Sequence, residues 1–187
     1  MAGLTACAGR QGPRTMEDVD GLHPAMSLSQ IPAVDVRGIQ QRLEFKPQIN
    51  VGTVRDERPT QVIFRYADKD IRSQGDVGVV VRYVLQKAFR QLGCTVDPGA
   101  PLTVETSVTQ WRGEIEGTKL SAEAAVTAEL IGPGNAVLYT GIYDGFAEGE
   151  SQKLLETDVQ GVMGRAMHQA LTKLVVDEQL LNFLASY

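Results

Sequence analysis

Histidine, cysteine and tryptophan are scarce in this chain: its 187 residues hold two, two and one of them. His23 and His168 stand in unrelated segments, so neither a metal-ligand spacing nor a Ser-His-Asp or Cys-His nucleophile can be assembled from the sequence. Long apolar runs are missing as well. Val77 to Val81 and Leu171 to Val176, the latter broken by Thr172 and Lys173, fall far short of the ~20 residues that cross a bilayer as a helix. A basic block is also absent: 18 Lys and Arg against 23 Asp and Glu leave a net charge of −5, without the footprint of a nucleic-acid binder. These absences leave no catalytic residue, metal or cofactor to assign, and the chain reads as a non-enzyme.

What is present begins with Leu4-Thr5-Ala6-Cys7, which has the form of a lipobox, the processing site whose cysteine becomes the acylated first residue of a bacterial lipoprotein. Six residues precede Cys7, fewer than the basic and apolar leader of a signal peptide requires. A start codon upstream of Met1, a trimmed leader or a chance match each account for the shortfall. On the lipobox reading Cys7 is the lipidation site, and the chain is held to a membrane by its N-terminal diacylglycerol and amide-linked palmitate-type chains. A single acyl chain anchors only marginally, whereas this set suffices. Ala8 rather than Asp follows the cysteine, which by the sorting habit of enteric lipoproteins places the protein at the periplasmic face of the outer membrane. With Cys7 lipidated, Cys94 has no partner; flanked by neither Lys, Arg nor His, it reads as a buried small hydrophobe rather than a reactive thiol.

Three segments follow: a lipobox remnant over 1–7, a flexible tether over 8–47 rich in scattered Gly, Pro, Ser and Gln, and a globular domain over 48–187. Within the tether, Ile31 to Val36 is a candidate for docking on the domain. The domain opens with alternation at Ile49, Val51 and Thr53, the mark of a half-buried strand. A helical stripe follows at Val77, Val80, Val81, Val84, Leu85, Ala88 and Leu92, with Ser73 or Asp76 as cap and Gly93 after its last turn. Three strands come next. Leu102, Val104, Thr106 and Val108 share one face of the first; Leu120, Ala122, Ala124, Val126, Ala128 and Leu130 share one face of the second; Leu138, Ile142 and Phe146 share one parity of the third. Gly132-Pro133-Gly134-Asn135 is a hairpin turn, lacking the Lys-Ser/Thr ending of a phosphate loop. Val159 to Leu174 supplies a second helix behind a Thr157 or Asp158 cap, and Leu180 to Leu184 a short amphipathic tail. The expected fold class is α+β: a two-layer sandwich ordered strand-helix-strand-strand-strand-helix, with two helices on one face of an about four-stranded, mainly antiparallel sheet.

That order, together with Val51-Gly52-Thr53-Val54-Arg55-Asp56-Glu57-Arg58, Leu138-Tyr139-Thr140-Gly141-Ile142-Tyr143 and an Ala-Leu helix near the C-terminus, resembles the YajG-type family of bacterial lipoproteins over about Gln48 to Tyr187. The resemblance implies an envelope lipoprotein with no established enzymatic activity, of a fold also found among periplasmic assembly and transport-auxiliary lipoproteins. It supplies no catalytic residues.

Candidate binding residues come from face assignment. On the parity opposite the expected core stand Trp111, Tyr139 and Tyr143, and an aromatic open sheet face is what protein interfaces favour. That face, or the sheet edge beside it, is then the docking surface for a protein partner in an envelope complex, unless the tether or the Phe183 segment folds across it. Arg55 and Asp56, in a charged loop, are a second candidate. His168 is expected to face solvent, and Asp144, Glu148 and Glu150 lack the register of a calcium loop and read as a solvated strand end. The leading function is a non-catalytic binding or assembly component of an envelope complex. The alternative is a periplasmic ligand-binding or hydrolytic domain using the groove between helices and sheet.

Overall fold

The computed structural model describes residues 25–28, 30–36, 46–66, 69–153 and 156–187. In chain order they form β1 (Ala25–Ser27), β2 (Gln48–Asp56), β3 (Val62–Tyr66), β4 (Lys69–Gln74), α1 (Val77–Gln91), β5 (Thr95–Val96), β6 (Leu102–Glu116), β7 (Lys119–Ile131), β8 (Val137–Glu150), α2 (Glu156–Val175) and α3 (Glu178–Ala185). The class is α+β as the sequence reads, with an open mixed sheet of eight strands among the described residues rather than about four. Three helices accompany it, since the amphipathic tail is α3, capped by Asp177, whose carboxylate accepts from the Gln179 and Leu180 amides.

The sheet is organised by β6. Along one side it pairs antiparallel with β7 over its whole length. Along the other it pairs parallel first with β2, at Leu102 to Val108, and then with β3, at Gly113 and Glu114. The strands missed in sequence are short and irregular. β3 carries a register shift between Val62 and Phe64, so Ile63 and Phe64 are both buried and no alternation shows. The "mainly antiparallel" expectation holds for the β6–β7–β8 meander, while β1–β4, β2–β5, β2–β6 and β3–β6 are parallel.

α1 follows its sequence stripe closely: Val77, Val81, Val84, Leu85 and Ala88 are buried, and Asp76 rather than Ser73 caps it through the Val79 amide at 3.3 Å. α2 begins at Glu156, so Thr157 and Asp158 lie inside its first turn instead of capping it; Asp158 accepts from the Ser151 hydroxyl at 2.6 Å. The alanines of β7 act as expected, but in concert with glycines on β8. Ala122, Ala124 and Ala128 pair with Ala147, Gly145 and Gly141, giving a lane of small residues along which α2 settles on the sheet. A Cβ at Gly145 would run into the Ala166 carbonyl and the Ala170 amide of α2, so helix and strand meet backbone to backbone there.

Part of the stretch read as tether belongs to the domain. β1 pairs with β4, and Met26, Leu28, Val34 and Val36 are buried. Residues 30–36 run as a strap across the helices: the Gln30 carbonyl lies against Gly164 of α2, and Ile31, Ala33 and Val34 border Tyr83, Val84 and Ala88 of α1. The docking expected of Ile31 to Val36 is therefore present. The strap also reaches His168, whose Nδ1 stands 3.2 Å from the Pro32 carbonyl, so this ring is half-buried rather than free in solvent.

Candidate functional site

β6 places Trp111 inside the protein, and the expectation that it belongs to an open aromatic face is corrected. Its side chain is 2% exposed and its indole N–H donates to the Met163 carbonyl of α2 at 3.0 Å. The cause is a β-bulge between Val108 and Gln110. Before it, Leu102, Val104, Thr106 and Val108 point to the core; after it, Trp111, Gly113 and Ile115 do. One extra residue reverses the parity of everything beyond it.

β8 is also reversed relative to the sequence reading. Its core face is Tyr139, Gly141, Tyr143, Gly145 and Ala147, whereas Ile142 and Phe146, expected inside, are 74% and 47% exposed. The apolar bulk of Leu138, Ile142 and Phe146 pointed one way; the need for glycine under α2 decided the other. Tyr139 and Tyr143 converge above Gly141, where a Cβ would strike both hydroxyls. Both hydroxyls donate to Oδ2 of Asp177, at 2.8 and 3.1 Å, and lie 3.3 Å apart. The Phe183 ring of α3 covers Tyr139 at 6.0 Å between centroids. The C-terminal segment thus closes this face, the second of the two arrangements the sequence left open.

The titration of this cluster follows its packing. Burial works to raise the Asp177 carboxyl, but the Leu180 amide, the two tyrosine hydroxyls and the Gln179 amide together hold it below the ordinary aspartate value. Burial, and then the Tyr139 and Asp177 contacts, push the Tyr143 hydroxyl well above the ordinary phenol value. Tyr139 is raised for the same leading reason. A cluster that holds its acid ionised and its phenols protonated is a fastener between β8 and α3. It lacks a group poised to exchange protons near neutrality. Cys94 is likewise structural: it is buried, and burial raises its thiol to about 11.

Arg55 and Asp56 stay at the surface at the end of β2. Arg55 reaches the Ser107 hydroxyl at 3.3 Å and Glu57 at 3.4 Å. Asp56 forms a two-pronged pair with Arg58, both bonds 2.7 Å, and the Arg58 guanidinium lowers its carboxyl. Arg58 is the more enclosed partner, its side chain 3% exposed and also bonded to Ser73 at 3.0 Å. This loop ties β2 to β4. Cys7 and His23 lie outside the described residues. Among the described residues no group of three or more His, Cys, Asp or Glu is arranged to hold a metal ion, and no helix is long and apolar enough to cross a membrane.

The open surface is the other side of the same meander. The pairing of β6, β7 and β8 sets its outward side chains in rows: Glu105–Glu129–Thr140, Ser107–Thr127–Ile142, Gln110–Ala125–Asp144, Arg112–Glu123–Phe146, Glu114–Ser121–Glu148 and Glu116–Lys119–Glu150. All the described helices that pack on the meander do so on its inner side, leaving Ile142 and Phe146 as bare apolar points among polar rows. At the hairpin end, Glu114, Glu116, Glu148 and Glu150 border a shallow depression of about 730 Å³. Face assignment from the apolar parity of Leu138, Ile142 and Phe146 misses this surface; the signal that finds it is the glycine spacing 141, 145, 149 under a helix.

No protein-family model and no curated protein matches the chain. Solved structures do. XCC0632 from Xanthomonas campestris, a DUF330 protein, is similar with a TM-score of 0.63 over 87% of this chain and 98% of its own, at 12% identity. Lipoprotein GNA1162 from Neisseria meningitidis (TM-score 0.40, 13% identity, 75% of this chain and 99% of its own) and a minor lipoprotein from Acinetobacter baumannii (0.41, 7%, 76% and 92%) are more distant. At 12% identity the likeness to XCC0632 is one of fold.

Proposed function

We propose that this protein is a non-catalytic envelope lipoprotein of the YajG type, tethered through Cys7 at the periplasmic face of the outer membrane, that docks a protein partner of an envelope complex on the outer face of its β6–β8 meander. The observation that carries the docking reading is the pairing of opposites on one strand. On β8 the tyrosines are committed to the core, while Ile142 and Phe146 face outward, the first largely and the second about half exposed. An apolar point on an otherwise polar sheet face, away from the core, is what an interface uses. Leu4-Thr5-Ala6-Cys7 and the polar tract behind it support the tether.

The ligand-binding or hydrolytic alternative needs a groove between helices and sheet. That space is occupied under α2, where Gly145 meets the Ala166 carbonyl and the tyrosines fill the gap beside Asp177. The helix–sheet depression that this reading would have to use lies instead at the sheet end, about 510 Å³ where Gln48 of β2 and Leu102 of β6 meet the Leu184–Tyr187 end of α3.

Two measurements test the proposal. Intact mass of the protein from its native membrane fraction should show an acylated Cys7 as the first residue, and Cys7→Ser should release the chain from membranes; an unmodified N-terminus contradicts the tether. Ile142→Ser with Phe146→Ser should abolish recovery of the partner complex without lowering Tm. Unchanged recovery, or a large fall in Tm, contradicts the docking face.

A further inference from the structure

The open face carries a charge imbalance that the rest of the chain does not share. Glu105, Glu114 and Glu116 of β6, Glu123 and Glu129 of β7, and Asp144, Glu148 and Glu150 of β8 stand in its rows against Arg112 and Lys119. Counting Arg55 of β2, which bonds Ser107 on this face, eight carboxylates stand against three cations, a balance that equals the net charge of −5 of the whole chain. Ion pairs engage Glu123, with Arg112 at 3.1 Å, and Asp144, with Lys173 of α2 at 3.1 Å. Glu105 and Glu129 are different. They are register partners on neighbouring strands, and among the described residues neither forms an ion pair; the Glu105 carboxylate lies over Gly52 of β2, and Arg55, bonded to Ser107, stands in the next row. Two carboxylates in register add no cross-strand attraction to the sheet. Ile142 stands in the next row and Phe146 two rows further on.

We propose that this face docks a cationic segment of a protein partner, its Lys or Arg side chains set against Glu105 and Glu129 and an apolar side chain packed on Ile142 and Phe146. The proposal rests on the docking reading above and supplies the chemistry of the partner. Charge complementarity selects that partner over other occupants. A second copy presenting the same face would bring carboxylate against carboxylate. An anionic lipid surface is repelled for the same reason, so a tethered chain turns this face away from the bilayer. A single divalent cation calls for converging carboxylates, whereas these are strung from Glu129 to the Lys119 row over roughly 34 Å at about 3.4 Å per residue. That shape suits an extended or helical basic segment.

The test places a photo-crosslinking residue at Thr127, between Ser107 and Ile142, in the full-length chain in native envelopes, with Tyr83 on the helix side as the control position. The expected result is an adduct from Thr127 and not from Tyr83, mapped by mass spectrometry to a Lys- or Arg-rich stretch of another protein. Its yield should fall about tenfold in Glu105→Lys/Glu129→Lys, because like-charge juxtaposition at an interface is strongly unfavourable. Glu105→Gln/Glu129→Gln should melt no lower than the parent, which separates loss of binding from loss of folding. An adduct that survives charge reversal, or that maps to lipid, to a second copy or to an acidic stretch, overturns the cationic partner but leaves a docking face. A Tm rise with calcium alone that is lost in the Gln variant overturns it in favour of an ion site. No adduct at Thr127 from envelopes where Cys7 is acylated overturns this proposal and the docking reading together.

Discussion

The two faces of the β6–β8 meander are built from alternate residues of the same strands, yet they obey different rules. On the inner face small residues lie where α2 must come close, and large ones fill the remainder: Gly145 beneath Ala166, Trp111 bonded to Met163, and two tyrosines bonded to Asp177. On the outer face neighbouring rows mix carboxylates with isolated apolar side chains, and Glu105 and Glu129, in register, form no ion pair among the described residues. The inner face is optimised for packing; the outer face carries excess carboxylates and exposed apolar side chains. A face that folding alone would not design that way is where a partner is to be sought.

This contrast can be broken or sharpened by substitution. The largest effect is expected on the inner face from Gly145→Val, which forces α2 off the sheet; a loss of about 3 kcal/mol or more, or outright failure to fold, should show in urea unfolding. Trp111→Ala should cost about 3–5 kcal/mol through its cavity, while Trp111→Phe keeps most of the volume and should cost mainly the hydrogen bond, about 1–2 kcal/mol. Asp177→Asn keeps a capping residue but loses the charge-assisted bonds to the tyrosines, and should cost about 1 kcal/mol near neutral pH.

That substitution also carries a pH signature. The Asp177 carboxyl is held below its ordinary value in the folded protein, so its contribution is complete above about pH 4 and is lost as pH falls through the folded value. The parent should therefore lose stability in acid over a window where Asp177→Asn loses less. Tyr143 runs the other way. Its hydroxyl is raised, so its contribution is present below about pH 10 and declines as pH rises beyond it, and Tyr143→Phe should flatten that alkaline decline. The smallest effect is expected on the outer face. Glu129→Gln should move stability by no more than a few tenths of a kcal/mol, about the size of a cross-strand pair term, in thermal melts at low salt.

How much of this was legible in the sequence depended on whether a periodic signal stayed in step. α1, β7 and α3 kept theirs without interruption, and their buried faces are those the apolar spacing indicates. β6 did not: the extra residue between Val108 and Gln110 carries no signature in the side-chain pattern, and everything from Trp111 onward changed face. In β8 the core positions are glycines, which an apolar count scores as nothing, although the alanines of β7 already announced a closely set helix. β3 and β4 form a short, charged pair held by Arg65 and Asp70 at 2.7 Å, too brief and irregular to show alternation. The candidate site was misplaced for the same reason. Its edge strand was found, but the side of that strand was set by tertiary packing rather than by its own composition.

The most direct measurement compares two neighbours in the chain, Ile142→Ser and Tyr143→Ser, by thermal unfolding. The account predicts that Tyr143→Ser loses roughly 3 kcal/mol, or on the order of 6–12 °C in Tm for a domain of this size, while Ile142→Ser moves Tm by no more than about 1–2 °C. A larger loss at Ile142 than at Tyr143, or equal losses at both, would mean that the faces are assigned the wrong way round and that the open surface is part of the core.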